Sequence, residues 1–324
     1  MAQKIELKNT VNPSQLGQRL DQALAELFDD FSRSRLKEWL LNGNVSVDGK
    51  VITKPRIRVM GGEEITVVAE IEDEERWEAQ DLPLDIVYED EDLLVINKPR
   101  GFVVHPGAGT PDSTVLNALL FHYPQIAEVP RAGIVHRLDK DTTGLMVVAK
   151  NVPTQTRLVR TLQKRRITRE YEAIAIGKMT AGGMIEKPIG RHPNKRTLMA
   201  VNELGKPAVT HYRVAEHFRE HTRIRLRLET GRTHQIRVHM SYLQHPLLGD
   251  IAYGGRARIP KGASEKLTEM IRSFDRQALH AVMLKFIHPT TGEEMSFHAP
   301  VPDDMVQMAE ALRIDAKLNP EDDY

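Results

Sequence analysis

The sequence of 324 residues contains no cysteine. Disulfide bonds, thiolate metal sites, iron–sulfur clusters and a cysteine nucleophile are therefore excluded, and the composition is typical of a reducing compartment. No apolar run approaches the ~20 residues that a membrane helix needs, and the first residues lack the apolar core of a signal peptide. We therefore expect a soluble, cytoplasmic protein that does not enter a membrane.

Net charge is also absent, since 45 basic residues balance 45 acidic ones. The charges are nevertheless segregated along the chain. Residues 187–237 contain twelve basic and four acidic residues, a net charge of +8, and residues 157–169 form a second basic cluster. Such segregation indicates a surface that binds the phosphates of a nucleic acid, although chance clustering on a solvated surface would give the same pattern.

The organisation of the chain follows from composition and periodicity. Leucines at helical spacing, followed by Asp48-Gly49 between two short apolar runs, predict two helices and a β-hairpin near the N-terminus. Beyond an acidic stretch, strands and helices mix without regular alternation, so we predict an α+β fold rather than a doubly wound parallel sheet. We predict four segments: a small module at 14–69, an acidic linker at 70–82, a large domain at 83–312 and an acidic tail at 313–324.

One aspartate, Asp139, stands where a strand ends in a polar turn, before a second strand that runs to Ala149. A strand end can present a side chain into a cleft, so a catalytic role is one interpretation. A turn stabilised by local aspartate hydrogen bonds is the other. A calcium-binding EF-hand is excluded, because Lys150 occupies the position of the required glutamate ligand.

Histidine is frequent, with thirteen residues, but its spacing does not indicate a metal site. His234 and His239 are five residues apart and would lie on different faces of a helix, whereas a zinc protease needs His-Glu-x-x-His. We expect no metal.

Three segments carry a resemblance to a known family. His136-Arg137-Leu138-Asp139-Lys140-Asp141-Thr142-Thr143-Gly144 resembles the central motif of the pseudouridine synthases that modify large-subunit ribosomal RNA. Arg169-Glu170-Tyr171 and the segment 230–240 match further motifs in the same order, and the flanking segments 97–101 and 245–250 also fit. The N-terminal module resembles the S4-type RNA-binding domain. The likeness covers nearly the whole chain and is closest to the D-type members, which would act on the helix 69 stem-loop. It implies a pseudouridine synthase fold with a mixed, largely antiparallel sheet and a catalytic cleft.

The resemblance also implies roles for single residues. Asp139 would be the nucleophile, Arg137 would take the place of the target base in the RNA stack, and Tyr171 and Arg237 would complete the catalytic group. We also expect substrate contacts from His136, Arg232 and Gln235. In the S4-like module we expect RNA contacts from Arg33, Arg35, Lys37, Lys50 and Arg56.

The residue types suit the reaction. Conversion of uridine into pseudouridine detaches the base at N1, rotates it and rejoins it through C5 without a net change in atoms or electrons, so no cofactor is expected. A carboxylate can form a covalent intermediate, and an arginine partner keeps it ionised in a cleft that excludes water. The planar guanidinium of Arg137 can fill the space that a flipped base leaves.

Local helix geometry gives one further expectation. If Thr233 caps a helix, Ile236 and Met240 lie on its buried stripe, Gln235 points away from that stripe, and Arg237 lies next to it.

Two other functions stay open at this point. The chain could be a catalytically silent RNA-binding factor of ribosome assembly, or an N-glycoside hydrolase that uses Asp139 to release uracil. The preferred hypothesis is a monomeric RNA isomerase whose partner is large-subunit ribosomal RNA, either free or within assembling 50S particles.

Overall fold

The computed structural model describes residues 3–28, 33–71, 77–107, 109–195 and 197–320. The chain divides into two compact units, Met1–Arg76 and Trp77–Tyr324. Over the described ranges, no helix combines the length and the apolar composition that a membrane span requires.

The first unit consists of an antiparallel sheet and two helices. Its elements in chain order are β1 (Gln3–Thr10), α1 (Leu20–Leu27), α2 (Arg33–Leu41), β2 (Val45–Val47), β3 (Lys50–Val51) and β4 (Glu64–Ile71). The strand order is β1-β4-β2-β3. The predicted hairpin is present, with Val47 opposite Lys50, and Asp48 and Gly49 both have the positive φ that its tight turn requires.

The first unit begins earlier than the predicted boundary at residue 14. Strand β1 pairs with β4 along its whole length, from Gln3 opposite Ile71 to Thr10 opposite Glu64. Ile5 and Leu7 alternate along β1 and pack against the buried core of this unit. This alternation is the signal that predicts a strand, so the boundary at residue 14 is wrong.

The second unit holds a large sheet with helices on both faces. Its strands are β5 (Ile86–Glu89), β6 (Leu93–Lys98), β7 (Thr143–Ala149), β8 (Thr168–Ile176), β9 (Gly183–Glu186), β10 (Ile189–Arg191), β11 (Met199–Val201), β12 (Val209–His217), β13 (His221–Leu228), β14 (Leu279–Ile287) and β15 (Glu294–His298). Its helices are α3 (Val115–His122), α4 (Val152–Gln163), α5 (Gln235–Tyr242), α6 (Ile251–Gly254), α7 (Glu265–Ser273) and α8 (Asp303–Leu318).

The large sheet is mixed and mostly antiparallel, as predicted. Within the described ranges its order is β5-β6-β7-β14-β8-β13-β12-β9, and β15 pairs with β14. The pair β7–β14 is parallel, whereas the other neighbouring pairs in this order, from β5–β6 to β12–β9, are antiparallel. Strands β10 and β11 form a separate antiparallel hairpin.

Both faces of the sheet are covered near its centre, and β7 is buried along its whole length. In β8, Tyr171 and Ala173 face a core that includes α3 and α5. Ile174, the alternate residue, faces a second core formed with α7 and α8. Because successive side chains of a strand point to opposite faces, Tyr171 is directed to the α5 side of the sheet.

Gly144 allows β7 to lie against β14 directly after the Asp139 turn. Its φ is +115°, and a Cβ at this position would lie 2.3 Å from the carbonyl oxygen of Ala281 in β14. A side chain is therefore excluded by the neighbouring backbone. This close approach fixes where the turn ends and β7 begins.

Two predicted segment boundaries are wrong in the second unit. Residues 72–76 of the predicted linker lie outside the described ranges. The residues that follow them are packed against the second unit: Trp77 contacts its core, and Asn117 of α3 forms hydrogen bonds with the backbone of Glu78 and Gln80. The predicted tail at 313–324 cuts through α8, which continues to Leu318 because Asp315 is buried against Arg219.

Candidate active site

Asp139 lies in the turn that leads into β7. The Asp139 carbonyl accepts a hydrogen bond from the Thr142 amide at 3.1 Å, which closes the turn. The fully buried Lys98 at the end of β6 donates from Nζ to the carbonyl oxygen of Lys140 at 2.8 Å, and also to those of Pro99 and Phe102. These bonds fix the backbone of the turn that carries the Asp139 carboxyl.

Arg237 links the Asp139 carboxylate to a second carboxylate. Its Nη1 donates to Asp139 Oδ2 at 3.1 Å, while Nε and Nη2 donate to the two oxygens of Asp250 at 2.7 and 2.9 Å. The side chain of Asp250 is 1% exposed and that of Asp139 is 17% exposed. Asp250 thus anchors the guanidinium inside the protein, and Asp139 remains open to a ligand.

The charge of Arg237 is stable in this position. Burial opposes the charge, but the carboxylates of Asp250 and Asp139 hold the pKa of Arg237 above its ordinary value. A permanently charged guanidinium therefore faces one oxygen of the Asp139 side chain, and a carboxyl group is a side chain that can act as a nucleophile.

Tyr171 of β8 lines the same cleft as Asp139 and Arg237. It is 5% exposed, and burial raises the pKa of its hydroxyl. The phenol therefore carries its proton at neutral pH. The structure thus brings together the three residues predicted to be catalytic, which are separated by up to 98 positions in the sequence.

A histidine and a second tyrosine complete the arrangement, and the motif comparison assigned no role to either. His234 Nε2 lies 3.9 Å from Asp139 Oδ1, and its Nδ1 lies 2.6 Å from the hydroxyl of Tyr253. The Tyr253 ring also packs against Arg237, with 4.8 Å between the guanidinium carbon and the ring centroid. Cation–π contact of this kind adds to the ion pairs that fix the guanidinium.

The start of α5 differs from the prediction. The residue before the helix is His234, with the left-handed angles φ 55° and ψ 23°, and the helix begins at Gln235; Thr233 is not its cap. The expectation for Gln235 is wrong as well. Its side chain is buried and bonds to Thr230, Arg232 and the backbone of Val209, because β12 covers this side of the helix. Its amide oxygen and nitrogen therefore bond to neighbouring residues, although Gln235 also lines the cleft with Asp139, and its substrate contact stays a prediction.

The cleft is narrow and opens beside a larger groove. Its free volume is about 50 Å³. The groove has about 480 Å³ and shares Arg137, Arg169 and Arg232 with the cleft. Arg137 is exposed and has no hydrogen bond or ion pair to any described residue, which leaves it able to move.

The groove is basic. The charged residues among its described lining are Arg131, Arg137, Arg165, Arg169, Arg232 and Glu229. His136 also lies there rather than in the cleft, and its Nε2 accepts from the Val147 amide at 3.1 Å. Burial lowers the pKa of His136 to about 3, so the neutral ring keeps its proton on Nδ1.

The predicted RNA-binding residues of the first unit are mostly on its surface. Lys37, Lys50 and Arg56 are exposed and Arg35 is half-buried. Arg33 begins α2, and its side chain lies outside the part of the chain that is described.

Known proteins resemble this chain over its whole length. Residues 92–242 match the family model of RNA pseudouridylate synthases, and residues 18–65 match that of the S4 domain. A protein of Vibrio vulnificus named ribosomal large subunit pseudouridine synthase D is 83% identical over 98% of both chains. The chain belongs to the RNA pseudouridine synthase family. The protein of the same name from Escherichia coli K12 is 68% identical over 97% of both chains.

Solved structures of the family share the fold. Human RNA pseudouridylate synthase domain containing 1 is 27% identical, with a TM-score of 0.52 over 72% of this chain and 96% of that one. Human RNA pseudouridylate synthase domain containing 4 is 26% identical, with a TM-score of 0.55 over 70% and 92%. The predicted fold class and the enzyme class, an RNA pseudouridine synthase, are confirmed.

Four residues around the nucleophile received no role from the sequence, namely Lys98, His234, Asp250 and Tyr253. Each of Lys98, His234 and Asp250 stands in a segment that matched the family, so the motifs marked them without showing what they contact. Tyr253 lies outside these segments. Its aromatic ring three residues after Asp250 is the only local signal.

Proposed function

We propose that this RNA pseudouridine synthase modifies uridines of large-subunit ribosomal RNA in the helix 69 stem-loop, with Asp139 as the nucleophile. The observation that carries the proposal is the contact of Asp139 with Arg237 in a cleft shared with Tyr171. The names of the relatives support the class of RNA. The D-type likeness of the N-terminal module supports the stem-loop.

The geometry provides a nucleophile and, on a separate residue, a group that can stack on the base and transfer a proton. The Asp139 carboxyl is partly exposed and backed by a cation that is itself anchored by Asp250, so it can reach a ligand in the cleft and act as a nucleophile. Tyr171 presents a protonated phenol and an aromatic face to the same space, which suits stacking on uracil and a proton relay during rejoining.

Arg137 is suited to support base flipping. A base that leaves its stack costs a few kcal/mol, and an exposed planar guanidinium at the mouth of the cleft can stack in its place. The groove beside the cleft would hold the RNA backbone, since five arginines and one glutamate are its charged lining.

The alternatives predict different products. A silent assembly factor does not need a carboxylate between RNA-binding arginines, because Asp139 would repel phosphate. A hydrolase would deliver water to the sugar and release free uracil, whereas a synthase keeps the base in the cleft until it rejoins the sugar. The proposal includes a cytoplasmic, monomeric enzyme that acts on free RNA or on assembling 50S particles.

The proposal is tested by mapping pseudouridine at single-nucleotide resolution in large-subunit ribosomal RNA from cells that lack the chain. Loss of pseudouridine in helix 69, with restoration by the purified protein and without free uracil, is expected. Unchanged helix 69 modification would contradict the substrate, and free uracil in proportion to turnover would establish hydrolysis instead.

A further inference from the structure

His234 is held in a conformation that its own backbone disfavours. Its φ of 55° lies in the left-handed region, which is unfavourable for a residue other than glycine. The conformation places the imidazole in the cleft with Asp139 and Tyr171. Its Nε2 is 3.9 Å from Asp139 Oδ1, too far for a hydrogen bond, so this nitrogen still has its bonding capacity available to a ligand.

Tyr253 determines which imidazole nitrogen carries the proton. Its hydroxyl oxygen accepts the Met199 amide proton at 3.0 Å and lies 2.6 Å from His234 Nδ1. Among the described residues, His234 Nδ1 is the acceptor within reach of the hydroxyl proton, so the hydroxyl donates to Nδ1 and the ring proton of a neutral His234 is on Nε2. Burial lowers the pKa of His234 and raises that of Tyr253, so the ring stays neutral and the phenol keeps its proton at pH 7.

We propose that the Nε2–H group of His234 donates a hydrogen bond to a carbonyl oxygen of the target uracil while that base is detached from its sugar. The inference rests on the proposed function and adds a catalytic residue to it. It follows from the free donor on a fixed imidazole in the same cleft as the nucleophile.

The chemistry of the detached base explains the need for this donor. When the Asp139 carboxylate bonds to C1′, the N1–C1′ bond breaks and its electron pair stays on uracil, which becomes an anion with charge on N1 and the carbonyl oxygens. When C5 attacks C1′, the bond to Asp139 breaks, C5 loses its proton and N1 gains one. His234 keeps its proton throughout. A preorganised donor at the developing charge lowers the barrier of the first step.

Two substitutions at His234 separate this role from a structural one. His234→Asn keeps a residue that tolerates the left-handed region but places its amide near the position of Nδ1. His234→Gln extends to the position of Nε2 and restores a donor there. We expect kcat to fall about 100-fold in the Asn variant, as for the loss of one oxyanion donor, with partial recovery in the Gln variant. RNA affinity and the thermal unfolding midpoint should change little in both.

Thio-substituted RNA tests the contact itself. Stem-loops that carry 2-thiouridine or 4-thiouridine at the target position replace one carbonyl oxygen with a weaker acceptor. One of them should slow the wild type and leave the Asn variant unaffected, whereas equal slowing of both proteins by both substitutions would refute the contact. A wild type that makes no pseudouridine would instead refute the proposed function, and an Asn variant with full kcat would refute only the role of His234.

Discussion

The guanidinium of Arg237 is shared unequally between two carboxylates: Asp250 receives two of its hydrogen bonds inside the protein, and Asp139 receives one at the edge of the cleft. Asp250 therefore neutralises and orients the cation, and an N–H group of Nη1 is directed at the Asp139 carboxyl. Pairing a buried arginine in this way avoids the cost of an isolated charge.

Asp250→Asn should reduce both stability and activity. The substitution keeps an oxygen that can accept from the Tyr253 amide but leaves Arg237 with one carboxylate instead of two. Breaking a buried pair costs about 3–5 kcal/mol, and a reoriented guanidinium should lower kcat at least tenfold. Chemical denaturation and single-turnover pseudouridine formation measure the two effects.

Asp315→Asn is the matched control for this experiment. Asp315 is also buried, in a core formed by α7 and α8. Its two oxygens accept hydrogen bonds from one guanidinium, that of Arg219, at 2.8 and 2.9 Å. It should lose similar stability and keep kcat. Equal kcat values in the two variants at a temperature where both are folded would show that Asp250 acts through stability alone.

Arg131 should contribute to RNA affinity through the groove. It is exposed, lines the groove and has a φ of 54°, so Arg131→Asn removes the charge with a residue that tolerates this backbone. Affinity should fall, and the slope of log K against log salt should decrease by about 1. Arg160→Gln, on the exposed side of α4 and outside the groove lining, should leave the slope unchanged. Equal salt slopes for the two variants would mean that the RNA does not contact the groove.

Lys98→Met should destabilise the enzyme, with a pH dependence of known sign. The variant leaves three carbonyl oxygens without their donor, at about 1–3 kcal/mol for each that stays buried. Burial lowers the pKa of Lys98 to about 7, below the ordinary ~10.4 of the unfolded chain.

Between these two values the unfolded chain binds the proton and the folded chain does not, so raising the pH favours folding. The free energy of unfolding of the wild type, relative to Lys98→Met, should therefore increase from about pH 7 to pH 10. Denaturation curves across this range measure the difference. A difference that stays constant with pH would mean that Lys98 remains an ammonium group in the fold.

The first unit should contribute to RNA binding through its exposed cations. Lys50→Gln combined with Arg56→Gln changes two exposed residues beside the β2–β3 hairpin, so the fold should be unaffected. RNA affinity should fall and the salt slope should decrease by about 2 if each cation contacts one phosphate. An unchanged slope would exclude this face of the S4 domain from the interface.

The sequence was sufficient for the fold class and for the residues of the central motif. Local sequence predicts a turn at Asp139 and a helix in the segment of Arg237. Only the resemblance to the family indicated that these two residues lie close together in space. A mixed, largely antiparallel sheet follows from the same resemblance. The alternation of Ile5 and Leu7 was available too, and it indicates that β1 was predictable from periodicity alone.

Other parts of the site depend on tertiary contacts that no local pattern contains. A helical projection places Gln235 away from the core, but β12 packs on that side and makes the residue a buried hydrogen-bonding partner. The role of Tyr253 depends on Met199, 54 positions earlier. The end of α8 depends on the pairing of Asp315 with Arg219, 96 positions earlier, so an acidic composition alone could not locate it.

The most direct test of the account is single-turnover formation of pseudouridine by Asp139→Asn in a helix 69 stem-loop, with RNA affinity measured in parallel. The carboxamide keeps the shape of the side chain and removes the nucleophile. We predict unchanged affinity within about threefold and a rate reduced by several orders of magnitude, as for loss of a catalytic nucleophile. Pseudouridine formed by the variant at a rate near that of the wild type would contradict the assignment of Asp139.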